Sequence, residues 1–173
     1  MNFKKKAIIF NDTSYDYHLG CEIVIKNLKY LLHKNNIKII GTSKVGECWF
    51  ENQELLKKIE IADLLIVNGE GTIHSNNEKG VWLLKVSEYA KKRNKKSVLI
   101  NSIFQNNNKS FKKYLDYFDI ISVRESLSHN ELKLINVNSE IVPDLTFYSQ
   151  FSINDKIKKN VDILFGDCVN IDK

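Results

Sequence analysis

The sequence contains little cysteine and no long apolar run. Three cysteines occur among 173 residues, and no two of them form a Cys-x-x-Cys pair. This small, odd number argues against a disulfide framework or a zinc site and favours a reducing compartment. The apolar run near the amino terminus has four residues, too few for a signal peptide, and no run reaches the ~18 residues of a membrane span. A soluble cytoplasmic protein is expected, with contact to the inner face of a membrane left open.

Proline is almost absent, and neither sign of charge strongly dominates. The 26 Lys and Arg residues exceed the 21 Asp and Glu residues, which gives a net charge of +5 at pH 7. Together with 43% hydrophobic residues, this mixture indicates an ordered globular chain with a sizeable core. The scattered lysines suit a solvated surface, or one that meets an anionic nucleotide, phosphorylated sugar or membrane. Nucleic acid is not an expected partner, because no basic stripe is interleaved with aromatic residues.

Short apolar runs alternate along the chain with segments of helical periodicity. Val24, Leu28 and Leu32, for example, recur at the spacing of one helix face. Near-continuous apolar strands that alternate with helices are typical of a parallel sheet covered on both faces. The sequence therefore predicts an α/β fold with a doubly wound, mostly parallel, Rossmann-like sheet. Strands are predicted at 7–10, 37–43, 63–68, 97–103, 119–125, 140–147 and 161–167, and helices at 21–36, 52–62, 80–96, 110–118 and 126–136.

The domain organisation has one candidate boundary, the polar stretch at 149–160. Residues 1–150 are predicted to form a Rossmann-like domain with a polar crevice. Residues 151–173 are expected to be a linker and the start of a second domain that is missing or truncated. No internal repeat or low-complexity segment is visible.

Polar residues collect where the predicted strands end. Parallel strands place their carboxyl ends at one edge of the sheet, where ligands of such folds bind. Six strand ends carry Asn, Asp, Glu, Ser, Thr, His or Arg, whereas the loops at the opposite edge are plainer. This contrast predicts one polar crevice built by several loops.

The loop after the first strand is the richest in polar residues. Backbone N–H groups at the following helix start could bind an anion, and Gly20 would let a ligand approach. His18 is a candidate acid or base, although a buried structural histidine is an equal alternative. The acidic and hydroxyl side chains could instead only cap turns. The candidates in this loop are Asn11, Asp12, Thr13, Ser14, His18 and Gly20.

The stretch Asn-Gly-Glu-Gly-Thr at 68–72 follows the third predicted strand. It is not the dinucleotide fingerprint, because His74 occupies the position of the third glycine, and it lacks a Walker lysine. Gly69 and Gly71 would permit a positive φ angle and close approach of a ligand. With Asn68, they place Glu70 at the crevice, unless Glu70 is a plain exposed turn residue. His74 is a second, weaker candidate for acid or base chemistry.

Three further candidates follow later strands. Arg124 is suited to bidentate contact with a carboxylate or phosphate, or else forms a salt bridge with Glu125 or Asp144. Asp144 could cap a turn or orient Arg124 or His18. Asn101 ends the fourth strand and is a candidate ligand-binding residue. No metal or cofactor is expected, because no His, Asp or Glu spacing suggests a cluster.

Three segments together, at 11–32, 62–75 and 123–147, resemble the polysaccharide pyruvyl transferase family. The family shows a first-strand loop leading into a helix, a glycine-rich turn after "aDlvi", and an "R-x-x-x-S-x-x-x-L" segment followed by "D-p-x-f". No single motif is specific, so the order and spacing of the three carry the resemblance. The matching residues are Asp12, Gly20, Ala62, Asp63, Asn68, Gly69, Glu70, Gly71, Arg124, Ser128, Leu132, Asp144 and Phe147.

The resemblance implies a fold, a reaction and a pair of substrates. Two Rossmann-like domains would face each other across a cleft, as in the glycosyltransferase-B architecture. The enzyme would transfer a pyruvyl group from phosphoenolpyruvate, or another anionic donor, to a sugar hydroxyl of a cell-surface polysaccharide. His18, Asp12 and Glu70 are then the candidate bases, and Arg124 and the helix starts would bind the donor. In the family the donor is held largely by basic residues of the carboxyl-terminal domain, so activity of this chain alone is left open.

Two other functions fit the same residues. One is a group transferase resembling glycosyltransferases, with a nucleotide-linked donor. The other is a non-enzymatic module that binds a sugar or nucleotide. Self-association is left open by the sequence.

Overall fold

Six parallel strands form a single sheet in the computed structural model, which describes residues 3–148. The strands lie in the order β2-β1-β3-β4-β5-β6, and every neighbouring pair is parallel. The predicted doubly wound α/β fold is therefore confirmed. The strands are β1 (Lys5–Asp12), β2 (Ile37–Lys44), β3 (Leu64–Glu70), β4 (Lys96–Ser102), β5 (Ile120–Val123) and β6 (Glu140–Ile141).

Five α-helices connect the strands, and side chains cap most of their first turns. Asn52, for example, accepts a hydrogen bond from the backbone N–H of Leu55 at 2.9 Å, which satisfies a donor that the helix leaves free. The helices are α1 (Leu19–Lys34), α2 (Gln53–Glu60), α3 (Glu78–Lys92), α4 (Lys112–Leu115) and α5 (Ser126–Leu134). None of the helices in the described range is long and apolar enough to cross a lipid bilayer.

Successive side chains of the central strands point to opposite faces of the sheet, so each face has its own core. Ala7 and Ile9 of β1 pack with Leu28 and Leu32 of α1 on one face. Ile8 and Phe10 join the larger core of the other face, which includes side chains of α2, α3, α4 and α5. Burial on both faces explains why β1 reads as a continuous apolar run.

The strand order places a topological switch point between β1 and β3. From β1 the chain moves to one side to form β2, and it then crosses back to form β3 on the other side. The loops that leave β1 and β3 consequently diverge to opposite faces, which opens a crevice at their carboxyl ends.

Two predicted elements adopt a different structure over part of their length. The strand predicted at 140–147 is wrong beyond Ile141: β6 has two residues, and a 3₁₀ turn forms at Leu145–Tyr148. Pro143 lacks the N–H that a continued ladder needs. The helix predicted at 110–118 is a 3₁₀ turn at Lys109–Phe111 followed by the single turn of α4. The strand predicted at 161–167 and the second-domain segment at 151–173 lie outside the described residues.

Candidate active site at the ends of the first and third strands

Glu70, the last residue of β3, lies in the crevice with its carboxylate almost fully buried. Its side chain is 8% exposed, so the alternative of a plain solvent-exposed turn residue is wrong. Oε1 accepts hydrogen bonds from the Thr13 hydroxyl at 2.6 Å and from Asn68 Nδ2 at 2.8 Å. Oε2 lies 3.4 Å from the Sγ atom of Cys21. Residues of β1, β3 and α1 thus converge on one carboxylate.

A reciprocal pair of asparagines joins the ends of β1 and β3 beneath this carboxylate. Asn11 Nδ2 donates to the backbone oxygen of Asn68 at 2.8 Å, and Asn68 Nδ2 donates to the backbone oxygen of Asn11 at 3.2 Å. Asn11 also reaches the Thr72 hydroxyl at 3.3 Å. Both asparagines are buried, so these bonds satisfy polar groups that water does not reach.

Three non-glycine residues at the rim adopt left-handed backbone conformations. The φ angles of Asn11, Glu70 and Asn101 are 65°, 41° and 52°, and the three residues belong to the neighbouring strands β1, β3 and β4. Asparagine tolerates this region, whereas glutamate rarely adopts it. The strain at Glu70 is the kind that persists where the surrounding contacts hold a residue for function.

The two glycines beside Glu70 do not use the positive φ angle that glycine would permit there. Among residues 3–148, the glycine with a positive φ angle is Gly46, not Gly69 or Gly71. Gly69 is required by close packing, because a Cβ atom there would lie 2.5 Å from Ser102 Cβ and 3.0 Å from Ser102 Cα on β4. A Cβ atom at Gly71 would meet nothing within 4 Å. The sequence permits a positive φ angle at these glycines, but the turn places that conformation on the glutamate between them.

Asp12 and Ser14 make the capping contacts that the sequence left as an alternative. Asp12 Oδ1 accepts hydrogen bonds from the backbone N–H and the hydroxyl of Ser14, at 3.1 and 2.5 Å. Oδ2 forms an ion pair with Lys29 Nζ at 2.9 Å. Both carboxylate oxygens of Asp12 are engaged, so this residue is less available than Glu70 to accept a substrate proton.

His18 is exposed and caps the start of α1, so the alternative of a buried structural histidine is wrong. Its Nδ1 accepts a hydrogen bond of 3.4 Å from the backbone N–H of Cys21, and Nε2 forms no hydrogen bond within residues 3–148. Gly20 allows this arrangement, because a Cβ atom there would lie 3.1 Å from the imidazole ring. Burial, followed by the negative charge of Glu70, raises the pKa of the Cys21 thiol to about 11, so the thiol stays protonated at neutral pH.

Arg124 and Asp144 form an ion pair at the ends of β5 and β6. Arg124 Nη1 donates to Asp144 Oδ2 at 2.6 Å. Burial alone would raise the pKa of Asp144, but hydrogen bonds from Thr146 and Arg124 outweigh it and lower that pKa. Asn101 Oδ1 accepts from the backbone N–H of Leu145 at 3.1 Å, which connects the following 3₁₀ turn to β4.

The structure thus connects most of the predicted residues, but not equally. One hydrogen-bonded network, which we call the Glu70 network, contains Asn11, Thr13, Asn68 and Glu70. Asn101 is connected to it by a long contact of 3.5 Å to Asn68 Oδ1. Within residues 3–148, His18 reaches the network through Cys21, and the Arg124–Asp144 pair lies on the other side of β4 from it. His74 pairs instead with Gln105 in an isolated backbone bridge.

Sequence reasoning missed three residues of the site. Cys21 contacts Glu70, Lys29 neutralises Asp12, and Thr72 binds Asn11. Nothing in the sequence marks Cys21 and Lys29 of α1 as site residues, because a polar residue in a helix is usually solvated. In the described part of the chain, no group of three His, Cys, Asp or Glu residues could hold a metal ion.

A cavity of about 430 Å³ lies at the same edge of the sheet, between the loop after β4 and the start of α5. Two of its lining residues, Glu125 and Glu131, carry negative charge, and Leu127 and Leu134 supply exposed apolar surface. The crevice between β1 and β3, where several predicted residues converge on one carboxylate, is instead the candidate for the chemistry.

Comparison with known proteins agrees with this geometry. No curated protein sequence matches the chain significantly. A family model described as polysaccharide pyruvyl transferase matches residues 4–172. The match includes β1, β3, β5 and the loops that build the crevice. The chain therefore belongs to the polysaccharide pyruvyl transferase family.

Proposed function

We propose that this protein transfers a pyruvyl group from phosphoenolpyruvate to two hydroxyl groups of one sugar in a surface polysaccharide. Both hydroxyl oxygens form bonds to C2 of the donor, and the bond from C2 to the phosphate oxygen breaks. One hydroxyl proton is transferred to the donor methylene, which becomes a methyl group. The other is taken up by the released phosphate. The product is a cyclic pyruvate ketal, and inorganic phosphate leaves. The polysaccharide acceptor follows from family membership.

The observation that carries this proposal is the buried carboxylate of Glu70 at the switch point. Reaction at a sugar hydroxyl needs a group that accepts its proton. Within residues 3–148, Glu70 forms no ion pair with a lysine or arginine, and Oε2 contacts only a thiol hydrogen. Thr13 and Asn68 hold Oε1 and thereby fix the orientation of the carboxylate. We assign Glu70 as the general base, with exposed His18 as the candidate for the second proton transfer.

The donor carries a carboxylate and a phosphate, which need cationic or N–H partners. Arg124 supplies a guanidinium group at the end of β5, where Asp144 holds one of its nitrogens and leaves the others for a ligand. We propose that residues 1–150 bind the acceptor and part of the donor, and that the segment after 150 contributes to a second domain. This division agrees with the sparse positive charge around Glu70.

The test is release of inorganic phosphate from phosphoenolpyruvate in the presence of candidate acceptor oligosaccharides. Glu70→Gln keeps the side-chain shape and an oxygen for Thr13 and Asn68, but removes the carboxylate. We expect kcat to fall by about two to four orders of magnitude. Glu22→Gln, an exposed glutamate on α1, is the matched control and should leave kcat unchanged.

Two outcomes would contradict the proposal. Unchanged kcat in Glu70→Gln would exclude Glu70 as the base. Absence of phosphate release with every acceptor, from a chain shown to be folded by circular dichroism, would exclude the reaction itself.

A further inference from the structure

Four aromatic side chains form a cluster on the outer face of α3, away from the Glu70 network. Trp49 lies at its centre, with its ring centroid 5.4 Å from Phe50 and 5.2 Å from Tyr89. Trp82 packs edge-on against Phe50 at 6.1 Å. The cluster contains both tryptophans of the chain. We call it the Trp49 cluster.

The Trp49 cluster lines an open cavity of about 200 Å³. Trp49 forms a rigid floor, because it is 2% exposed and its indole N–H donates to the backbone oxygen of Trp82 at 2.7 Å. Phe50 and Tyr89 stand nearly perpendicular to the Trp49 ring, at 84° and 80°. Phe50 provides the exposed aromatic wall of the cavity, because it is 36% exposed although it is fully apolar, whereas the Arg93 guanidinium lies over the Tyr89 ring, 3.5 Å from its centre.

The polar lining of the cavity is cationic on balance. Lys85, Lys92 and Glu88 complete the lining, and Lys92 neutralises Glu88 in an ion pair of 2.7 Å. Lys85 Nζ lies 5.7 Å from the centre of the Phe50 ring. In the described part of the chain Lys85 forms no ion pair within 4.0 Å. One ammonium group beside an aromatic wall is thus available to an anion.

We propose that this cavity is a second carbohydrate subsite, which binds a carboxylated sugar unit of the acceptor glycan. The C–H face of a pyranose ring packs against an aromatic ring, and a carboxylate on the sugar would pair with Lys85. The volume suits about one sugar unit, since binding cavities bury most of their ligand. The inference rests on the proposed function for the identity of the glycan, and a pyruvate ketal itself carries the required carboxylate.

The cavity lies along the second half of α3. Lys85 lies seven residues after Glu78, the first residue of α3, and Glu88 and Lys92 follow one and two turns later. Lys85 is therefore about 10 Å along the helix axis from the edge where α3 begins. A subsite outside the crevice adds contacts only for an acceptor of several sugar units, so long acidic acceptors should bind better than single sugars.

The test uses the emission of the two tryptophans as a local reporter. The full chain is titrated with a tetrasaccharide that contains glucuronic acid and, separately, with a neutral tetrasaccharide of the same length. We expect a saturable change in fluorescence with the acidic sugar. Lys85→Gln should weaken its binding about tenfold, as expected for loss of a charge-assisted contact. Lys26→Gln, an exposed lysine on α1, should bind like the original chain.

A second variant and a second assay keep the inference separate from the reaction. Phe50→Ala should also weaken binding of the acidic sugar, whereas Glu70→Gln should bind it normally even when phosphate release is lost. Equal responses to acidic and neutral sugars, or normal binding by both Phe50→Ala and Lys85→Gln, would overturn the subsite. A response to a nucleoside diphosphate alone would overturn the assignment to a sugar.

Discussion

At the scale of single residues, the site depends on a glutamate in a conformation that glutamate rarely adopts. Glu70 has a φ angle of 41°, and its carboxylate is held by Thr13 and Asn68. A glycine at 70 would remove the backbone strain but also the acceptor of both hydrogen bonds. The chain thus keeps a strained residue where a glycine would be easier, which is the pattern expected of a functional position.

The glycines on either side of Glu70 provide a matched pair of substitutions. Gly69→Ala places a methyl group against Ser102 of β4, so we expect it to lower the free energy of unfolding by about 1–3 kcal/mol. Gly71→Ala faces open space at an ordinary backbone angle and should change it by less than about 0.5 kcal/mol. Urea denaturation of both variants measures the difference. Equal stability of the two variants would contradict the close packing of β3 against β4.

At the scale of elements, short contacts hold the loops of the rim in place. Glu125 caps α5 by accepting from the backbone N–H groups of Leu127 and Ser128. The Arg124–Asp144 pair joins the end of β5 to the turn after β6, where the two-residue strand has few ladder bonds of its own. These side chains therefore add to the backbone hydrogen bonds of Arg124 and Val142 in positioning the Arg124 side of the crevice.

The ion pair at this edge should make stability depend on acidity. The pKa of Asp144 is lower in the folded chain than its ordinary value of 3.8, so its stabilisation is present above that value and is lost as the pH falls through the lowered pKa. We expect Asp144→Asn to be less stable than the original chain at pH 6, and the difference to shrink below about pH 4. Urea denaturation across this range measures it.

Asp16→Asn, at an exposed aspartate without an ion pair in the described residues, is the control for general effects of charge. The free energy of unfolding of Asp16→Asn should differ little from that of the original chain, and the difference should change little with pH. A difference for Asp144→Asn that stays constant from pH 6 to pH 3 would mean that the carboxylate contributes no stability through its charge.

At the scale of the whole molecule, the strand order determines both the location of the crevice and the distribution of stability. β1 and β3 lie inside the sheet and are buried on both faces, whereas β6 is an edge strand with both residues exposed. Regions with more buried apolar contacts open less often. The centre of the sheet should therefore be the most protected part of the described chain.

Hydrogen exchange can measure this gradient directly. Amides of Ile9 and Ile66, at the centre, should exchange more slowly than that of Val142, which follows β6, by about two orders of magnitude or more. Exchange followed by nuclear magnetic resonance or mass spectrometry resolves these segments. Similar rates at the centre and at β6 would mean that the sheet opens as one unit.

The sequence predicted the parallel sheet because its strands are buried on both faces and read as apolar runs. The same reasoning placed the crevice at the strand ends and included Glu70 among its residues. It failed for the strand at 140–147, where Pro143 ends the ladder. It could not predict the contact between Thr13 and Glu70, because these two residues meet only when β1 pairs with β3. Contacts set by strand order leave no local pattern in a single sequence.

The central position of β1 also constrains how the chain can be synthesised. Ala7 pairs with Leu64, a residue that leaves the ribosome 57 positions later. At about 5–20 residues per second, one edge of β1, with its apolar run at 7–10, lacks its partner for several seconds of translation. A nascent chain halted before β3 would present that edge to other chains, so ribosome-associated chaperones should bind it until residues 64–70 emerge.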